Sequence, residues 1–231
     1  MYINAIRLDF TKMLPYWKWF LQGTWTTVWV SILTVLLGTI AGFLVVLLKR
    51  SKFKPLNWIA TVYTTFFRGT PILLQLYIIV FGLPAIGLKI PDVNNTFSSL
   101  MISCLIALTL NSAAYVSEII RGGLNSVDKG QSEAARSLGL DASQTMRFVI
   151  IPQAIKTILP ALVNEFIMMI KETSLVSTLG LQDVMYQQKL IQGLTYRTLE
   201  PYIIIAAIYL VLTLALTAVS NAVERKLRQH G

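Results

Sequence analysis

The sequence predicts an all-α polytopic membrane protein with five transmembrane helices. Of its 231 residues, 55% are hydrophobic and only 13% are charged, whereas a soluble domain carries about 25% charged residues. The apolar residues also fall in long uncharged runs, which a water-soluble helix with one wet face does not tolerate. We therefore expect residues 1–231 to form a single membrane-embedded domain.

The five predicted spans are stretches long enough to cross a hydrocarbon core of about 30 Å, which takes roughly 20 helical residues. They cover residues 23–48, 56–83, 98–121, 146–181 and 201–223. The fourth is too long for one straight crossing, so we expect it to tilt, protrude or break at Pro152 or Pro160. Pro71 should kink the second span in the same way.

The distribution of Lys and Arg predicts the orientation, because positively charged short loops stay in the cytoplasm. The first and third connections and the C-terminus hold eleven of these residues, and the opposite side holds six. This predicts an external N-terminus and a cytoplasmic C-terminus. The net charge of +9 then follows from topology and from contact with anionic membrane lipid, and we expect no nucleic-acid partner.

The cysteine and histidine content excludes several kinds of active site. The one cysteine, Cys104, lies inside an apolar run, which excludes a disulfide scaffold or a cysteine-based metal cluster. The one histidine, His230, is the penultimate residue, so the body of the chain has none for catalysis. We expect no catalytic residue and no metal site in this chain.

The connection at residues 122–145 predicts a short cytoplasmic helix of about ten residues that ends in a sharp elbow. Residues 133–136 read Glu-Ala-Ala-Arg, a strong helix former, and Gly139 can take the left-handed conformation that ends a helix. Two capping-box patterns flank the elbow, Asp128 with Gln131 and Asp141 with Gln144. Such a helix could transmit a push from a partner to the fourth span; an ordinary interfacial helix is the alternative.

This loop carries a resemblance to a known family. Glu133-Ala134-Ala135, then Gly139 after three residues, then Val149-Ile150-Ile151-Pro152 after nine, is similar to the Glu-Ala-Ala loop of the membrane subunits of binding-protein-dependent ABC importers. That pattern usually ends Ile-x-Leu-Pro, so Val149 and Ile151 depart conservatively. Further motifs resemble the polar amino acid branch: Phe-Arg-Gly-Thr-Pro at 67–71, Asn-Ser-Ala-Ala-Tyr at 111–115, Asn-Glu-Phe at 164–166 and Lys-Glu-Thr-Ser-Leu at 171–175.

The resemblance, which covers roughly residues 20–225, implies a type I ABC importer fold and a permease subunit in the bacterial inner membrane. The partners it implies are a second copy or paralogue of the permease, two ATP-binding cassette subunits, an external solute-binding protein and a polar amino acid substrate moved by alternating access. ATP and Mg would be bound by the partner subunits, and consistently this chain has no Gly-Lys dipeptide and so no P-loop. The coupling residues carried over are Glu133, Ala134, Ala135, Arg136 and Gly139.

Two acids in the fourth span are candidate substrate ligands, because charges that remain inside a membrane should face protein or water. Glu165 and Glu172 are seven residues apart, which places them on one helical face about 10 Å apart. This pair favours a cation, and Asn164 could add donors and acceptors. In basic-amino-acid members of the resembled family the acids at these positions contact substrate, although Asp is common where this chain has Glu172. A purely structural role is the alternative.

The second span supplies two further candidates for substrate contact, Arg68 and Gln75. Arg68 lies beside the expected kink, at a gate hinge or next to the substrate; the alternative is a structural charge paired with an acid such as Glu118. In the first span, Gly38 and Gly42 permit close helix approach, either within the subunit or between two subunits.

The rival function is a self-sufficient, ion-coupled secondary transporter or channel that uses Glu165 and Glu172. Five spans are few for a monomer of that kind. Transport by the purified chain in liposomes without any ATPase would distinguish the two. The choice of amino acid and of a homodimer or heterodimer stays open at this point.

Overall fold

The structure, a computed structural model, describes residues 8–88 and 96–229. Every regular element within these two ranges is helical, as the sequence predicts. The α-helices are α1 (Trp17–Lys49), α2 (Lys54–Gly69), α3 (Ile72–Tyr77), α4 (Leu83–Ala85), α5 (Thr96–Asn125), α6 (Lys129–Ser137), α7 (Ala142–Thr145), α8 (Ile151–Glu172), α9 (Val184–Thr195) and α10 (Leu199–Gln229). Two 3₁₀ segments, Phe10–Tyr16 and Thr173–Leu179, and two π-helical turns, Ile78–Gly82 and Met146–Ile150, join them.

The helices long and apolar enough to cross a membrane agree with the predicted spans. Four such stretches are present: Phe10–Lys49, Ser98–Asn125, Ala142–Leu179 and Leu199–Leu227. The fifth candidate is the pair α2 and α3–α4, whose axes are bent by 111° at the break. The kink predicted at Pro71 is therefore confirmed, and it is a sharp turn of the chain.

The break considered for the fourth predicted span at Pro152 or Pro160 does not occur, because Ala142–Leu179 is one continuous helical stretch. Pro160 lies inside α8 without ending it. Before Pro152 the chain forms a π-helical turn, in which the Ile151 N–H donates to the carbonyl of Met146. A proline cannot donate the usual backbone hydrogen bond, and the wider turn absorbs this defect without breaking the span.

The glycines of α1 pack within the subunit, which confirms the first of the two alternatives. A Cβ at Gly38 would lie 2.8 Å from Ser112 Oγ, and one at Gly42 would lie 2.9 Å from the Ala113 carbonyl oxygen. Residues this close have no room for a side chain, so α1 and α5 approach along this stripe. The same crowding recurs where Gly23 meets Val184 at the start of α9.

A buried apolar cluster holds the middle of the molecule together. Its completely or almost completely buried members come from α1, α3, the π-helical turn after α3, α5, α8 and the segment after α8: Val30, Leu76, Ile79, Cys104, Ala107, Leu108, Met169, Val176 and Leu181. Packing of these side chains fixes α8 against α5 and the α2–α3 break. The polar groups described below therefore sit on a rigid support.

The connection between α5 and α8 forms the predicted short helix and elbow. Asp128 caps α6 by accepting from the Gly130 N–H, and Gly139 has φ +90° after the helix ends. The second capping box, Asp141 with Gln144, is complete. The first is not, because Gln131 accepts a hydrogen bond of 3.2 Å from Gln153 of α8 instead of turning back to Asp128.

Candidate functional site

The α2–α3 break, α5 and α8 line a partly open cavity of about 380 Å³. Its lining residues are Thr70, Pro71, Ile72, Asn111, Tyr115, Glu165, Met168, Met169 and Glu172. Cavities of this size hold small organic ligands when a few polar groups converge on an otherwise apolar wall. Glu165 and Glu172 therefore share one cavity, as their spacing along α8 predicts.

Glu165 is fixed in this cavity by a neighbour on α5. Its side chain is 9% exposed, and one carboxylate oxygen accepts a hydrogen bond of 2.9 Å from Ser112 Oγ. A buried carboxylate is costly unless it is hydrogen-bonded or paired with a cation. One bond leaves acceptor capacity on this group, so a cationic or donor-bearing ligand would find a partner here.

The other predicted residue of α8, Asn164, points elsewhere. It is exposed and is absent from the cavity lining, because one step along a helix turns a side chain by about 100° from its neighbour. Glu172, two turns from Glu165, is half-buried at the end of α8. Substrate contact by Asn164 remains a prediction, and the lining of this cavity gives it no support.

Gln75 stabilises the break next to the cavity. Pro71 has no N–H to donate to the Phe67 carbonyl, and an unsatisfied carbonyl is expensive inside a membrane. The Gln75 amide nitrogen donates to that carbonyl at 2.9 Å and to the Thr70 carbonyl at 3.0 Å. Asn111 of α5 donates to the Gln75 side-chain oxygen at 2.8 Å and so ties the break to α5.

These contacts place Gln75 behind the cavity wall. It is 2% exposed and is not a lining residue, whereas its partner Asn111 is. Its predicted role in substrate contact has no geometric support here. Its hydrogen bonds instead stabilise the break between α2 and α3 beside the site.

Arg68 lies within ion-pair distance of Glu118. This arrangement is the structural alternative that the sequence offered for Arg68. Its guanidinium is 3.7 Å from a Glu118 carboxylate oxygen and stacks over the Tyr115 ring at 5.6 Å. The Glu118 carboxylate oxygens also form ion pairs of 2.6 Å with the Lys49 amine and 2.6 Å with the Arg121 guanidinium. This cluster joins α1, α2 and α5, and Tyr115 connects it to the cavity.

Three polar residues of the cavity lining were not predicted as ligands from the sequence: Thr70, Asn111 and Tyr115. Asn111 and Tyr115 belong to the motif at 111–115, which the resemblance included without assigning them a role. A usable signal was present for Asn111, because a polar amide in mid-span should face protein or water just as a charge does. The approach of α5 to the Pro71 break could not be seen in the sequence.

Comparison with known proteins bears on what such a cavity serves. Residues 34–229 match the family described as "Binding-protein-dependent transport system inner membrane component". The arginine transport system permease protein of Bacillus subtilis (strain 168) is 44% identical over 226 residues, which cover 97% of this chain and all of that protein. This chain belongs to the family of binding-protein-dependent transport system inner membrane components.

Solved structures agree with this assignment of the permease. The structure titled "Crystal structure of an amino acid ABC transporter with histidines" has a TM-score of 0.89 and 46% identity, covering 96% of this chain and 100% of that chain. An inward-facing structure of a methionine ABC transporter has a TM-score of 0.73 at 17% identity, covering 92% and 98%. The second likeness concerns the fold alone. Together they confirm the type I ABC importer fold.

The α6 helix of the permease presents its residues to the surface. Glu133, Ala134, Arg136 and Gly139 are exposed, while Ala135 is buried against the subunit. Leu138, at the end of α6, is 82% exposed. A largely exposed leucine beside the elbow is the kind of apolar anchor that a partner surface would cover.

Among the described residues of the permease, no group of three or more His, Cys, Asp or Glu side chains could hold a metal ion. His230 lies outside them. The chain is an inner membrane component of an amino acid transport system.

Proposed function

We propose that this permease imports a cationic amino acid, of which arginine is the type, through the cavity lined by Glu165 and Glu172. The single observation that carries the proposal is the meeting of these two acids in one cavity of about 380 Å³. A guanidinium or ammonium group pairs strongly with a partly buried carboxylate, since both partners are then charged and hydrogen-bonded. The arginine transport permease of Bacillus subtilis supports this substrate class.

The neutral polar wall suits the rest of such a ligand. Tyr115 offers a hydroxyl group and Asn111 its side-chain oxygen for an amino acid backbone. Met168 and Met169 give an adaptable apolar surface for the aliphatic part of the side chain. The permease thus has contacts for each part of a long cationic amino acid.

Movement through the site requires an energy source outside this chain. In our proposal, two ATP-binding cassette subunits bind ATP and Mg and dock on α6, with Glu133, Arg136 and Leu138 in the contact. A second permease copy or paralogue completes the pathway, and an external solute-binding protein delivers the amino acid. The N-terminus lies outside and the C-terminus in the cytoplasm, and the pair of permeases alternates between outward and inward openings.

Contacts between α6 and α8 support the transmission of movement from the ATPase subunits to the cavity. Gln153 of α8 donates to Gln131 of α6, and the complete capping box at Asp141 stiffens the elbow between them. A displacement of α6 is then passed to α8, which carries both acids. The ATPase subunits can in this way alter the cavity at a distance.

The test is uptake by the complete complex in proteoliposomes, with radiolabelled arginine and glutamine compared. Glu165→Gln and Glu172→Gln should each raise the KM for arginine at least tenfold and change the glutamine KM much less. Glu224→Gln, near the C-terminal end of α10, is the matched control and should behave like the unsubstituted protein. Equal KM values for arginine in all variants would contradict the proposal.

The rival transporter mechanism is tested in the same vesicles. Uptake should disappear when ATP is omitted or when the ATPase subunits are left out. Uptake that persists under an ion gradient alone would support the ion-coupled alternative and overturn the ATP-driven one.

A further inference from the structure

A second cavity lies on the opposite side of α5 from the substrate cavity. It has a volume of about 900 Å³ and is bounded by α1, α5 and α8. The residues that line it are Thr39, Ile40, Phe43, Leu44, Val46, Leu47, Arg50, Ile120, Leu124, Met146, Ile151, Ala154, Ile155, Ile158 and Leu162. Neither acid of the substrate site reaches it, so it requires a separate explanation.

The chemistry of this groove is apolar along its length and basic at one end. Every lining residue except Thr39 and Arg50 is apolar. Arg50 follows directly after the last residue of α1, is exposed, and has no carboxylate of the described residues within ion-pair distance. Lys52 and Lys54 follow it and are exposed as well.

The length of the groove fits one leaflet of a bilayer. Along α1 it extends from Thr39 to Arg50, which at 1.5 Å per residue is about 16 Å. Half of a hydrocarbon core of about 30 Å is about 15 Å. With Arg50 at the headgroup level, the apolar part therefore spans the acyl region of the adjacent leaflet.

From these observations we infer that the groove is a binding site for an anionic phospholipid, whose headgroup phosphate pairs with Arg50 and whose acyl chain lies between Phe43, Ile120 and Ile155. The apolar wall by itself would accept any acyl chain, because bilayer lipid is equally apolar. Selection therefore comes from the basic end, where one Arg attracts an anionic headgroup by about fivefold over a zwitterionic one. The inference is independent of the amino acid that the permease carries.

A lipid in this groove would touch the moving parts of the permease. Met146 and Ile151 lie at the start of α8, directly after the elbow that follows α6. Phe43 and Leu47 lie on α1, which packs on α5 through its glycine stripe. The bound lipid would thus fill the gap between the supporting helix α1 and the helix that carries the acids.

The experiment uses the complete complex in nanodiscs of zwitterionic lipid, doped with a phosphatidylglycerol that carries a photoreactive group on its acyl chain. A phosphatidylcholine probe with the same chain serves as the comparison. After illumination, labelled peptides are mapped by mass spectrometry. We expect labelling at residues 40–47 and 151–158, with phosphatidylglycerol about fivefold above phosphatidylcholine.

Variants separate the headgroup from the chain. Arg50→Gln should lower the ratio of phosphatidylglycerol to phosphatidylcholine labelling well below fivefold, since only Lys52 and Lys54 then remain to attract the anionic headgroup, whereas Arg225→Gln, which removes a C-terminal charge outside the groove, should leave the fivefold ratio unchanged. Ile155→Trp should obstruct the groove beside Ile120 and reduce labelling at residues 151–158, with the melting temperature measured to confirm folding. Loss of the ratio in both arginine variants, or its persistence in Arg50→Gln, would overturn the site.

Two further outcomes contradict the inference. Labelling of the groove no stronger than that of the exposed apolar face of α10 would mean that no specific site exists. Disulfide crosslinking of a Phe43→Cys variant to a second permease copy would show that protein fills the groove in the assembled complex. Failure of arginine uptake has no bearing on either result, so the two proposals fail separately.

Discussion

Ser112 of α5 donates a hydrogen bond of 2.9 Å to the Glu165 carboxylate of α8. The same hydroxyl lies 2.8 Å from the position that a Cβ on Gly38 of α1 would occupy. Three helices therefore converge on one serine, and the acid of the proposed substrate site is oriented by a residue that α1 holds in place. The geometry of the site depends on this packing as much as on the acid itself.

Ser112→Ala should weaken transport of a cationic amino acid. The variant keeps nearly the same volume but removes the hydrogen bond that Ser112 donates to the Glu165 carboxylate, and hydrogen bonds to charged groups contribute about 1.5–3 kcal/mol. We expect the KM for arginine to rise about tenfold and that for glutamine to change little. Uptake kinetics in proteoliposomes measure both.

The matched control is Ser117→Ala on the same helix. Ser117 is equally buried but donates to the backbone carbonyl of Ala114. If both variants change the arginine KM by the same factor, the effect belongs to general packing of α5 and the orienting role of Ser112 is wrong.

Gly42→Ala should destabilise the contact between α1 and α5. Its new methyl group would lie 2.9 Å from the Ala113 carbonyl oxygen and from Val116 Cγ1. Overpacking of this kind costs about 1–3 kcal/mol, because backbone must shift. We expect a melting temperature several degrees lower in detergent.

Gly122→Ala provides the comparison for that measurement. Gly122 also lies in a long helix, but a Cβ there meets no atom within 4 Å. Alanine is the better helix former by about 1 kcal/mol, so this variant should be neutral or more stable. Equal losses in the two variants would mean that the α1–α5 contact is looser than described.

Asp183 should make the stability of the permease depend on pH. It lies outside the spanning helices, is 0% exposed, and caps α9 by accepting from the Tyr186 N–H. Burial raises its pKa from 3.8 to about 7. The folded protein then binds the proton more tightly than the unfolded chain, so stability falls as pH rises from about 4 to about 7.

Asp183→Asn should remove this dependence, because an amide stays neutral and can still cap the helix. We expect the variant to melt several degrees above the unsubstituted protein at pH 8, with the difference shrinking steadily towards pH 5. A constant difference across pH 5–8 would show that Asp183 does not hold a proton in the folded state.

Gly139→Ala should weaken coupling to the ATPase subunits. Gly139 has φ +90°, a conformation that costs a residue with a Cβ about 1–2 kcal/mol. The elbow after α6 would relax, and Leu138 would change direction. We expect substrate-stimulated ATPase activity of the complex to fall at least threefold while basal ATPase activity is retained.

The same assay on Gly122→Ala controls for loss of a glycine near α6. Its stimulated activity should equal that of the unsubstituted complex. Undiminished stimulation in Gly139→Ala would contradict the role of the elbow in transmission.

Much of the helical architecture could be read from the chain. Uncharged runs of about 20 residues can only be spans, because a bilayer leaves no backbone group unsatisfied. Capping residues and a glycine predicted α6 and its elbow, and the local signals were sufficient because these interactions join residues a few positions apart. The shared cavity position of Glu165 and Glu172 followed from helical periodicity for the same reason.

The remaining features were decided by contacts between residues distant in sequence. The sequence made Gln75 a candidate for substrate contact. In the structure, the break at Pro71 brings the Phe67 and Thr70 carbonyls within hydrogen-bond distance of its amide. Glu118 was already a candidate partner for Arg68 from the sequence, but only the packing of α2 against α5 shows that the two side chains lie within 3.7 Å of each other. Periodicity specifies the face of a helix, but the neighbour that covers that face is set by packing of the whole bundle, which is why the contact of Ser112 with Glu165 emerged only in the tertiary structure.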